Sequence, residues 1–231
     1  MAGAPRGVFV VLEGGEGVGK TTQWQRLRDR LSQHGQDVVA LREPGGTTAG
    51  DVLRHVLLDP ASQLTRETEA LLFAASRAQL VREVIEPALA RGAVVLVDRF
   101  LLSTYAYQGA GRDLPENALR EMNRLATGGR APDLTLLLTL PLTRAMARMQ
   151  ARGARDRMER EDDAFHQRVG SAFLGALAPE WQRAHPEVGP IVAVDADGAM
   201  DQVTERCLAA LVQRWPARFL PTTLSADPVH A

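Results

Sequence analysis

At 231 residues, with 45% hydrophobic and 24% charged residues, the chain can bury a substantial core and has the composition of an ordinary globular domain, which excludes a disordered or fibrous protein. Lys plus Arg total 27 against 28 Asp plus Glu, so a net charge of −1 gives no global attraction to nucleic acid or an anionic membrane, and any anion site must be a local cluster. One cysteine, Cys207, excludes a disulfide framework or a cysteine-based zinc site and fits a reducing cytoplasm.

In chain order, the run VFVVLE at 8–13 predicts a buried strand. It leads into Gly14-x-x-x-x-Gly19-Lys20-Thr21, the pattern of a phosphate-binding loop, with a helix predicted over 21–32 and ended by Gly35. Such a loop needs glycines so that successive N–H groups can turn inward on a phosphate, aided by the positive end of the following helix. Gly14, Gly15, Glu16, Gly17, Val18, Gly19, Lys20, Thr21 and Thr22 are therefore the expected residues around a nucleotide's phosphates, the loop alone not choosing among GTPases, ATPases and small kinases. Lys20 is the chain's only lysine beside 26 arginines. A compact ammonium on a thin stem fits such a cradle, whereas a planar guanidinium is too broad.

Further strands are predicted at 38–42, 94–98, 134–140 and 191–195, and their unbroken Val/Ile/Leu content predicts burial on both faces of a parallel sheet. Helices are predicted over 68–91, closed by Gly92, and over 115–126, 142–152, 163–183 and 199–215. The alternation gives a doubly wound α/β fold with ligands at the carboxyl ends of the strands. Residues 1–220 form one domain in this reading, and the tail 221–231 is expected to be disordered. The apolar runs are too short to span a bilayer, and the first residues lack a signal-peptide core.

Asp98 ends its strand and is the expected acidic partner of a Mg²⁺ ion whose other protein ligand is the Thr21 hydroxyl; its alternative role is to cap the helix that follows. Arg99 beside it suits a second phosphate. Between 148 and 160, Arg148, Arg152, Arg155, Arg157 and Arg160 suit a flap over polyanionic phosphates, the alternative being a solvated face balanced by four carboxylates. The guanine-reading motif NKxD is absent, which argues against a GTPase.

The segments GGEGVGKTT, REPGGT at 42–47, LLFAASRAQ at 71–79, DRF at 98–100 followed by LSTYAYQGAGR, and APDLT at 131–135, together with the arginine-rich stretch, resemble the bacterial thymidylate kinase family, which makes dTDP from dTMP. The resemblance runs in order from about residue 8 to about residue 215. It implies a P-loop NTPase-type five-stranded parallel sheet flanked by helices, an arginine-rich lid at about 152–160, ATP with Mg²⁺ as donor, and a homodimer. Phe73 is implied to stack on thymine and Arg77 to bond a base carbonyl. Arg99 is implied to clamp the dTMP phosphate, Ser103, Thr104 and Gln108 to line the thymine pocket, and Tyr107 to crowd the sugar 2′ position. Glu16 would approach the acceptor 3′-hydroxyl. Arg152, Arg155 and Arg157 would contact the transferred phosphate or stack on adenine, with the division among them open. A deoxynucleoside kinase and a non-enzymatic nucleotide switch are the competing readings, the first needing no acceptor-phosphate clamp and the second no base pocket.

Overall fold

In the computed structural model, which describes residues 6–150 and 156–219, the five apolar runs become one sheet of parallel strands. These are β1 (Val8–Glu13), β2 (Val38–Arg42), β3 (Val94–Asp98), β4 (Leu134–Thr139) and β5 (Ile191–Asp195), in the spatial order β2-β3-β1-β4-β5. β1 lies at the centre, with Val10 opposite Leu96 on one side and Leu134 on the other. The order reverses there, so a crevice opens at the carboxyl end of β1.

The unbroken apolar runs are explained by two cores. Phe9 and Val11 of β1 and Val95 and Val97 of β3 face one core, while Val8, Val10 and Leu12 with Val94 and Leu96 face the other. α1 (Lys20–Gln33) covers the second core through Leu27 and Leu31. The first is covered by α3 (Arg66–Leu80), which passes through a π-helical turn (Val81–Ile85) into α4 (Glu86–Ala90) after α2 (Thr48–Leu58). α5 (Leu101–Thr104) runs into a second π-helical stretch (Tyr105–Gly111), and α6 (Glu116–Thr127) follows. α7 (Leu142–Gln150), α8 (Asp163–Gly175), α9 (Pro179–Ala184), α10 (Met200–Arg214) and α11 (Pro216–Phe219) complete the described chain. None of its helices is long and apolar enough to cross a membrane.

Five expectations are adjusted. Burial on both faces holds for β1 and β3 but not at the edges: β2 is half-buried throughout, and β5 exposes Val192, Ala193 and Asp195, because an edge strand has a neighbour on one side only. α2 was not among the expected helices, although Thr47 carries the signal for it: its Oγ1 accepts from Gly50 N at 2.9 Å. The segment after the DRF triplet is helical as well. The helix expected over 163–183 is two, since α8 ends at Gly175 and Pro179, which has no N–H to donate, starts α9. Asp98 caps no helix, because α5 begins at Leu101 with Phe100 at its N-cap. Arg152, Arg155 and the tail 221–231 lie outside the described residues.

The second π-helical stretch packs against α8 so closely that Gly111 admits no side chain. A Cβ there would lie 2.6 Å from Phe165 Cε2 and 3.0 Å from its Cζ. Gly111→Ala should therefore destabilise the protein by about 1–3 kcal/mol in urea unfolding. Gly170→Ala on α8, with nothing within 4 Å of the added methyl, should be neutral or stabilising in the same measurement.

Candidate active site

The loop between β1 and α1 turns at Gly14, Gly17 and Gly19, with φ of 141°, 73° and 94°, values that only glycine adopts freely. At Gly14 a side chain would also meet Leu138 O at 2.5 Å. The loop thus curls tightly over the end of β1, and α1 starts at Lys20. The Lys20 ammonium is buried and donates to Gly15 O at 2.6 Å. Burial, and after it the charge of Arg99, lowers its pKa to about 8.

Thr21 Oγ1 donates to Asp98 Oδ2 at 3.0 Å, so the hydroxyl and the strand-end carboxylate meet although 77 positions separate them. This pair offers hard oxygen donors at the mouth of the phosphate loop, a set that suits Mg²⁺ retaining water and phosphate oxygens as its other ligands. Arg42, at the end of β2, approaches Asp98 to 3.9 Å and lies over Trp24, 5.6 Å from the ring centroid.

Arg99 sits in the left-handed region, φ 72°, which a long side chain adopts only when its surroundings hold it there. Its backbone N–H donates to Leu12 O at 3.0 Å. The next turn is tied by Glu13, wholly buried at the end of β1. Glu13 Oε1 accepts from Phe100 N at 2.8 Å and Ser103 N at 3.1 Å, and its Oε2 accepts from the Ser103 hydroxyl at 2.6 Å. Thus fixed, the Arg99 guanidinium donates to Gly14 O at 3.0 Å and to Ser103 Oγ at 3.2 Å, pairs with Glu16, and lies 4.9 Å from the Tyr107 ring centroid. Tyr107 donates its own hydroxyl proton to Glu16 Oε1 at 2.6 Å. Burial would raise the Glu16 carboxyl, but Arg99 and then Lys20 outweigh it and hold the pKa down at about 2.

Arg99, Lys20, Thr21 and Asp98 line one cavity of about 250 Å³. Phe73, Arg77, Thr104, Tyr107 and Gln108 are in its wall, so the residues expected to form a base pocket do come together. Arg77 is almost wholly buried, and all three nitrogens of its fork are engaged. Nε donates to Glu43 at 2.8 Å, Nη1 to Thr104 Oγ1 at 2.9 Å and Asn123 Oδ1 at 2.8 Å, and Nη2 to Phe100 O at 3.1 Å. A base carbonyl would have to share one of these donors.

On the outer side of the phosphate loop, Gly17, Val18, Gly19 and Thr22 border a second cavity of about 390 Å³ with Arg148 and Gly198. Arg157 is not gathered at the phosphate loop. It donates through Nε to Leu57 O at 2.7 Å and through Nη1 pairs with Glu69 at 2.8 Å, so reaching a phosphate would require it to leave Glu69. The sequence reading passed over Glu13, Arg42, Glu43 and Arg54, all of which border the site or organise it. Arg54 projects from the unexpected α2 to Pro44 O at 2.7 Å and reaches the cavity wall. Glu13 had a visible signal, a carboxylate closing an otherwise wholly apolar strand.

The thymidylate kinase family model matches residues 12–187. The chain is 46% identical over 209 residues to a thymidylate kinase of an Exiguobacterium species, covering 90% of this chain and 95% of the relative. It is 46% identical over 209 residues to the thymidylate kinase of Deinococcus radiodurans, covering 90% and 98%. It is 54% identical over 170 residues to that of Desulforudis audaxviator, covering 73% and 76%.

The depressed Glu16 pKa has a consequence for stability. A carboxyl that falls from 4.5 to about 2 on folding contributes stability that is complete above pH 4.5 and is lost as the pH falls towards 2. Glu16→Gln removes that contribution. The stability gap between wild type and variant in urea unfolding should be widest above pH 4.5 and should narrow steadily towards pH 2.

Proposed function

Because the chain belongs to the thymidylate kinase family, we infer that it transfers the γ-phosphoryl group of ATP to dTMP, giving dTDP and ADP. The observation that carries the reading is that two cations, Lys20 after β1 and Arg99 after β3, line one cavity together with Glu16, Phe73 and Arg77. Two phosphate sites side by side serve a donor and an acceptor that is itself a phosphate. A deoxynucleoside kinase would have no use for Arg99 as a clamp, and a nucleotide switch none for the cavity.

In this reading ATP lies along Gly14 to Thr22, with its base end towards the outer cavity at Arg148 and Gly198. Lys20 releases Gly15 O and turns its ammonium to the β- and γ-phosphates, whose charge restores the protonation that burial weakens. Thr21 and Asp98 would hold Mg²⁺, which when bound screens the negative charge of the donor phosphates. Arg99, preset by the Glu13 turn, holds the acceptor phosphate in line, so that the reaction draws mainly on positioning. Phe73 stacks on the thymine, and Ser103, Thr104 and Gln108 complete that wall with Arg77 behind them. Tyr107 crowds the 2′ position, and Glu16 accepts from the 3′-hydroxyl while it holds Arg99. Arg42 and Arg54 add positive charge at the mouth. Arg152 and Arg155 are assigned to the phosphates or the adenine as the lid covers them, with Arg157 joining if it exchanges Glu69 for phosphate. We place the enzyme in the cytoplasm, as a homodimer.

A coupled ADP-release assay with ATP and separate thymidine, dTMP and purine nucleoside monophosphates tests this reading. Turnover with dTMP and none with thymidine is the expected result; turnover with thymidine alone would replace it by the deoxynucleoside kinase.

Lys20→Arg keeps the charge but not the shape. It should fold normally and lose about 10²-fold or more in kcat, the scale seen when one positioned charge-stabilising donor is removed. Near-normal turnover by a folded Lys20→Arg protein would show that charge alone is needed at this position.

A further inference from the structure

Glu69 lies one helical turn before Phe73 on α3, and its side chain is 1% exposed. A carboxylate buried to that degree needs donors, and it has several. Gln108 Nε2 donates to Oε1 at 2.9 Å, Arg112 donates through Nε at 3.2 Å and Nη2 at 2.9 Å, and Arg157 Nη1 lies at 2.8 Å. Arg112 also reaches Glu161 at 2.6 Å and lies 4.7 Å from the Phe165 ring centroid. Two guanidiniums thus face two carboxylates. Burial by itself would raise the Glu69 carboxyl, but the hydrogen bonds from Arg112 and Gln108 outweigh it and keep the group below its ordinary range.

An ionised carboxylate has no proton to give, so only the NH₂ arm of an amide can face it. The orientation of the Gln108 amide, which in most settings either arm could satisfy, is therefore dictated by Glu69. Nε2 is committed, and the carbonyl oxygen is the arm that remains on a residue in the cavity wall with Phe73 and Thr104.

We propose that Glu69 is a positioning residue for base selection: by fixing the Gln108 amide it makes this wall an acceptor for a ring N–H, favouring pyrimidines with an imide N3–H and disfavouring cytosine, whose N3 is a lone pair. The proposal rests on reading the cavity as a pyrimidine nucleotide pocket. Two acceptors cannot pair, so cytosine meets a carbonyl oxygen where thymine and uracil meet a partner. Thymine and uracil are not separated by this contact. Arg157 binds the same carboxylate, so the segment after residue 155 and the base-reading amide are anchored at one point.

Glu69→Gln supplies the test, because a neutral amide offers both a donor and an acceptor and frees Gln108 to turn. Activity is measured on dTMP, dUMP and dCMP for wild type and variant. The expected result is a fall of about tenfold or more in the dTMP to dCMP ratio of kcat/KM, with the dTMP to dUMP ratio unchanged. A purely structural defect would lower all three alike and leave both ratios in place, and that outcome beside an active wild type overturns the proposal alone. Wild type inactive on every pyrimidine monophosphate overturns the pocket reading and the proposal with it. Should Glu69→Gln fail to fold, the bond is read in the wild-type protein by NMR, with the Gln108 side-chain amide assigned against Gln108→Leu. Amide protons protected from exchange are expected; rapidly exchanging ones overturn the proposal.

Discussion

The buried carboxylate of Glu13 joins the two strand ends on which the site is built. Taking an ionised side chain out of water costs several kcal/mol unless hydrogen bonds replace the lost hydration. Here Phe100 N, Ser103 N and the Ser103 hydroxyl supply them, so the end of β1 and the turn after β3 are held as one unit. The phosphate loop leaves from one side of that unit and Arg99 from the other. Because the joint is rigid, the Arg99 backbone can be kept in the left-handed region, and its guanidinium meets the loop at Gly14 O without searching for it.

Around that joint the charges are already paired. Lys20 leans on Gly15 O, Arg99 on Glu16, and Arg77 on Glu43, so each cation of the site has a partner in the ligand-free protein, although Arg99 still repels Lys20 and helps to lower its pKa. In the proposed reading, phosphate binding is an exchange of partners, in which a dianion replaces a carbonyl oxygen or shares a guanidinium with a carboxylate. Glu16 has a double task in such a site. It restrains Arg99 and accepts from Tyr107, and its low pKa keeps it an acceptor across the whole physiological range.

One wall of the cavity is a single helical face that starts in α5 and continues into the π-helical stretch. A regular α-helix presents side chains every three or four positions on one face, and the π-helical stretch Tyr105–Gly111 follows directly on α5. Ser103, Thr104, Tyr107 and Gln108 stand at the i, i+1, i+4 and i+5 positions of one helical face, and all four reach the cavity. Behind them, Asn123, Glu43 and Glu69 hold the polar groups that would otherwise be buried without partners.

Sequence by itself determined the parallel sheet, since strands buried on both faces must be apolar without alternation, and it pointed to a phosphate loop, since glycines and a lysine at that spacing between strand and helix suit an anion cradle better than a plain connecting turn. The family resemblance named Phe73, Arg77, Arg99, Tyr107 and Gln108, and the fold brings all five to one cavity. Tertiary structure alone decided their partners. That Arg77 is clamped by Glu43, Thr104 and Asn123, that Arg157 pairs with Glu69, and that Glu13 ties β1 to the turn after β3 depend on contacts between residues 27 to 90 positions apart. The pattern of one segment records which face it buries, but a charged residue is written the same way whether it meets water, a ligand or a distant carboxylate. Which of these it meets is fixed only when the segments pack.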